Sequence, residues 1–165
     1  GRGARGRDGT AVMRADEIPV AHTPAGGWTQ MPPPVLASCT EPLVDAAPDL
    51  RGLWRVVHVE VGGVAQPTHP VMGQLQRIEQ CGDRLVVTSG GVVHDMRCDG
   101  TEASGVHDVA ALDMTTPIVV VATYEAGAHV LRPVGLPVEV TRRLDGDEMV
   151  WSYVGFDARL RREVR

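Results

Sequence analysis

The chain has 165 residues, enough for one well-cored domain and too few for two. An apolar fraction of 43% and a charged fraction of 22% exclude wholesale disorder, and a net charge of -5 leaves no basic footprint for nucleic acid. All 16 basic residues are arginine and there is no asparagine, which excludes a Schiff-base lysine, a P-loop lysine and N-glycosylation.

Residues 1–49 read as an irregular extension. They carry seven of the 12 prolines, including the run Pro32-Pro33-Pro34, and show no sustained period. Residues 1–12 are expected to be disordered. Residues 28–44 hold Trp28, Met31, Val35, Leu36, Leu43 and Val44, too apolar to leave in water, and are expected to pack on the domain body, across an opening. The arginines near both ends (Arg2, Arg5, Arg7; Arg159, Arg161, Arg162, Arg165) read as solvated tails and an exposed strand face.

Residues 50–165 read as a β domain. Alternating and apolar runs between turn signals predict strands at 53–61, 74–80, 84–89, 91–97, 105–110, 117–125, 128–133, 136–143, 147–154 and 157–164. Between them sit Cys81-Gly82-Asp83, Gly90-Gly91, Asp99-Gly100, Ala126-Gly127 and Asp145-Gly146, which supply the positive φ of tight hairpins. Short connections make the sheet an antiparallel meander. With no helix to cover a face, about 8–10 such strands favour closure into an up-and-down barrel; a sandwich is the alternative. Alternation then places Trp54, Val56, His58 and Glu60 on one face of the first strand, and His94 with Val92 and Met96 on another inner face. Tyr124, Arg142, Met149, Trp151, Tyr153, Leu160 and Arg162 also fall on presumed inner faces.

Gly52-Leu53-Trp54 at the opening of the first strand resembles the G-x-W of lipocalins and related calycins. The closing stretch VTRRLDGDEMVWSYVGFDARLRR is similar to the end of fatty-acid-binding proteins. The resemblance covers residues 50–165. It implies a calycin barrel with an interior pocket, in which Trp54 closes one end beneath an arginine of the last strand, here Arg162. The interval Gly62–Gly73 is too short and too rich in Gly and Pro for the helical lid of fatty-acid-binding proteins. It is closer to nitrobindins, which lack the lid but bind haem through a histidine near the C-terminus. The last histidine here is His129, several strands earlier, so haem is disfavoured and no cofactor is expected.

Three cysteines, Cys39, Cys81 and Cys98, without a CxxC, read as reduced thiols and leave no structural zinc site. No stretch reaches the roughly 18 apolar residues of a membrane span, and the start lacks a signal-peptide core, so the chain reads as soluble and cytoplasmic. Across a hairpin, His94 and Asp108 can approach each other, as a general-base pair or as a satisfied polar pair. His58 and His94 with a carboxylate would suit a metal, but no spacing specifies one and none is expected. Met149, Trp151, Tyr153 and Tyr124 either fill the barrel or line a pocket, and Arg142, if inward, is a natural anchor for a ligand carboxylate. Two functions stand: binding of a small, mainly apolar molecule inside the barrel, or a cofactor-independent cyclase or isomerase in the same cavity. The second would use His94, His58, Tyr124 or Asp108 to move a proton, with the N-terminal segment as lid. A solidly packed barrel acting as a protein–protein module is a third reading, and a homodimer is left open.

Overall fold

The computed structural model describes residues 12–163. The disorder expected for residues 1–12 lies, Val12 apart, outside them. One 3-10 turn, Ala15–Glu17, precedes the strands β1 (Gly52–Val61), β2 (Val64–Ala65), β3 (Leu75–Cys81), β4 (Arg84–Ser89), β5 (Val92–Arg97), β6 (Val106–Val109), β7 (Pro117–Glu125), β8 (Ala128–Pro133), β9 (Val140–Asp145), β10 (Glu148–Tyr153) and β11 (Phe156–Arg162). They pair in the order β5-β4-β3-β1-β11-β10-β9-β8-β7-β6, with β2 a short flap on β1. The result is a nearly closed antiparallel barrel of ten strands, whose ring is completed where β5 meets β6 without a paired ladder. At that seam the Arg97 amide donates to the Ser104 carbonyl at 2.8 Å. Next to it, Gly105 lies close against β7: a Cβ there would be 2.1 Å from the Val120 carbonyl oxygen.

Hairpin chemistry sets the register. Ala126 and Gly127 both adopt positive φ (50° and 77°), so Tyr124 pairs with His129 and both face inward. The core inside the barrel includes Leu85, Met96, Val106, Ala122, Met149 and Leu160. Burying each large aliphatic side chain contributes roughly 1.5–3 kcal/mol. Trp54 is fully buried, donates from Nε1 to the Leu50 carbonyl at 2.8 Å, and lies under the Arg162 guanidinium, 4.3 Å from the ring centroid. Trp54 and Arg162 are register partners.

Four expectations are corrected. A bulge between Val56 and His58 inserts a residue, so Val59 rather than His58 follows Val56 inward. The ninth strand begins at Val140, not at residue 136, because residues 134–139, with Pro137 among them, form a wide turn after β8. Residues 28–44 lie along the outer wall rather than across an opening, with Leu36, Val35 and Trp28 packed on the outward Val86 and Val93. Finally, Cys39 and Cys81 form a disulfide that ties this segment to β3, leaving Cys98 as the free, buried thiol. The expectation of three reduced thiols is thereby corrected for Cys39 and Cys81.

The extension is a belt held by buried polar contacts. Arg84 donates to the carbonyls of Ala15 (2.7 Å) and Ile18 (2.6 Å) and to Asp95 (2.6 Å). Glu79 accepts the amides of Val35 (3.0 Å) and Leu36 (2.8 Å). Among the described residues no helix is long and apolar enough to cross a membrane.

Candidate functional site

The barrel interior carries a small set of polar side chains among aliphatic ones. Arg142, on β9, is 4% exposed, and its guanidinium has no carboxylate partner among the described residues. Nε and Nη2 both donate to Gln76 Oε1 at 3.3 Å, Nη1 has no hydrogen-bond partner, and the group lies 5.4 Å from the Trp151 ring centroid. Trp151, its register partner on β10, also leaves Nε1 unpaired. Burial lowers the Arg142 pKa to about 10, which keeps it cationic near neutral pH.

His129, on β8, is fully buried. Its Nε2 donates to the Met96 sulfur at 3.4 Å while Nδ1 has no partner. Desolvation, then the Arg142 charge, holds its pKa well below the ordinary value, so the imidazole is neutral. Two donors (Arg142 Nη1, Trp151 Nε1) and one acceptor (His129 Nδ1) are thus buried without partners, which is costly unless something satisfies them.

The other expected residues distribute as follows. Met149 is fully buried, and Tyr153 stacks among Trp151 and Phe156 at centroid distances of 5.4 Å each. The hydroxyl of Tyr124 accepts from Gln80 Nε2 at 3.0 Å. Burial raises the Tyr124 pKa and raises the neighbouring Cys98 thiol to about 12, so neither is a ready proton donor or nucleophile. His94 faces inward at the seam, donating from Nε2 to the Val109 carbonyl at 2.9 Å, with Asp108 Oδ1 at 3.9 Å. Desolvation lowers its pKa, opposed by Val109 and Asp108. Asp108 accepts the amides of Thr23 (3.0 Å) and Val109 (2.8 Å). These two therefore clasp the seam: the imidazole proton that would serve chemistry is held by a backbone carbonyl.

His58 stays apart. It sits on the outer wall, 3.0 Å from Glu60, in a hollow of about 260 Å³ beside Arg143 and Arg159. His58 is therefore not brought beside His94, the pair considered for a metal. Among the described residues, no group of three or more His, Cys, Asp and Glu side chains is arranged to hold a metal. Gln76 escaped the sequence reading, and His129 entered it only in the argument against haem, although pairing across the Ala126-Gly127 turn from inward Tyr124 points it inside.

No protein-family profile and no curated protein matches the chain. Among solved structures, zebrafish ileal bile acid-binding protein complexed with cholic acid is similar at 14% identity, with a TM-score of 0.51, over 68% of this chain and 98% of that one. Human cRBP IV is similar at 13% identity, with a TM-score of 0.47, over 70% of this chain and 98% of that one. The first likeness and the ring of ten strands together give this protein the calycin fold, as an antiparallel barrel that lacks a helical lid among the described residues.

Proposed function

We propose that the barrel binds a small, mainly apolar molecule carrying an anionic oxygen head group such as a carboxylate. The single observation that carries this is Arg142: a buried cation with a free Nη1, flanked by an unpaired indole donor. An uncompensated buried charge is costly to the fold, and a carboxylate held by Arg142 and Trp151 would offset it through charge-assisted hydrogen bonds. The aliphatic inner wall and the aromatic group Trp151, Tyr153 and Phe156 provide surface for the apolar part. Likeness of fold to a bile acid-binding protein complexed with cholic acid supports the same class of ligand.

Calorimetric titration with dodecanoate and dodecanol tests it. Wild type binds dodecanoate at least about tenfold more tightly, a difference of about 1.4 kcal/mol. In Arg142→Met the preference disappears. Equal affinity of the wild type for both would overturn the anchor.

A further inference from the structure

We infer that the seam between β5 and β6 is the ligand's way in, with Met96 as its gate and the N-terminal belt as its outer lip; this rests on the interior-binding reading above. Three observations converge there. Around the ring of ten strands, β5 and β6 are the neighbours that share no ladder. Polar contacts across this seam include Arg97 N to Ser104 O and His94 Nε2 to Val109 O, with Thr23 of the belt reaching Asp108. Parting them disturbs fewer hydrogen bonds than parting any of the long strand pairs.

Directly outside this seam lies a half-open hollow of about 410 Å³. Its apolar lip is formed by Ile18 and Val20 of the belt and Ala103 of the β5–β6 loop, and Arg97 and His107 stand at its edge. Its remaining feature is decisive. Met96 lines this outer hollow, yet it belongs to the interior core and its sulfur touches His129, which lies within the electrostatic reach of Arg142. Met96 is thus shared by the lining of the outer hollow and the interior core, and its unbranched, flexible side chain can swing aside at low rotamer cost.

A gate changes rates and leaves affinity alone. Stopped-flow fluorescence of the full chain with 1-anilinonaphthalene-8-sulfonate, an apolar anion, reads both. Ala103→Trp, a substitution at an exposed site, plugs the hollow: association and dissociation each slow about tenfold while Kd stays within about twofold. Met96→Ala accelerates both rates, and Val154→Trp, in the β10–β11 turn at the opposite end of the barrel, changes neither. Unchanged rates in Ala103→Trp, or slowing in Val154→Trp, would overturn the seam as the entrance while leaving interior binding intact. Failure of the wild type to bind the probe, or undiminished binding in Arg142→Met, would sink the interior reading and the gate together. Should Met96→Ala not fold, the Ala103→Trp and Val154→Trp pair decides alone.

Discussion

The two halves of the barrel wall use the same residue types in opposite ways. Over β3–β5 the belt buries the outer face, so β4 is buried along its whole length and Val86 and Val93 form a second, external core. Carboxylates there are committed to backbone amides: Glu79 to Val35 and Leu36, Asp95 to Ala21, Glu41 to Ala15. Over β8–β11 the outer face is open, and arginines meet carboxylates in water. Arg159 bonds Asp145 and Glu148, Arg161 bonds Glu148, and Arg132 bonds Glu125 and Glu139. Charge on the covered side fixes where a segment lies; on the open side it confers little stability.

Substitutions on either side sharpen that contrast. Asp95→Ala leaves the Arg84 charge buried without its carboxylate partner and is expected to cost about 3–5 kcal/mol in urea unfolding, the largest effect. Loss of the Cys39–Cys81 disulfide in Cys39→Ser, which frees a belt closed over a separation of 42 residues, is expected to cost about 2–4 kcal/mol. Glu148→Ala on the open wall should cost less than about 1 kcal/mol, despite two arginine partners. A cost for Glu148→Ala equal to that of Asp95→Ala would erase the distinction.

Acid offers a further probe. His94 and His129 have lowered pKa values in the fold, so below the unfolded value near 6.5 the unfolded chain binds more protons. Stability is therefore complete above about pH 7 and falls as pH drops below 6.5, by up to about 1.4 kcal/mol per unit for each group. Unfolding of His129→Leu between pH 7 and 5 should show a shallower decline than wild type.

The wall was more legible in the sequence than what lies against it. Strands at 84–89, 117–125 and 128–133 follow from apolar patterning and the turns at Gly82, Gly90 and Gly127, and their bounds coincide with β4, β7 and β8. The stacking of Trp54 with Arg162 follows from alternation together with the G-x-W resemblance. Alternation failed at His58 because a bulge adds a residue without a compositional mark. The disulfide was hidden because it depends on where a proline-rich, aperiodic segment docks, which no local pattern encodes. Arg142 was legible as an inward residue of its strand; its lack of a carboxylate is a property of the assembled ring.

That unpaired guanidinium is the central claim, and carbon-13 NMR of bound dodecanoate labelled at its carboxyl carbon tests it most directly. Held by Arg142, the carboxyl should stay ionised in the complex to a pH clearly below the free acid's pKa, and Arg142→Met should abolish the depression. A bound carboxyl that titrates like the free acid in wild-type protein would contradict the account.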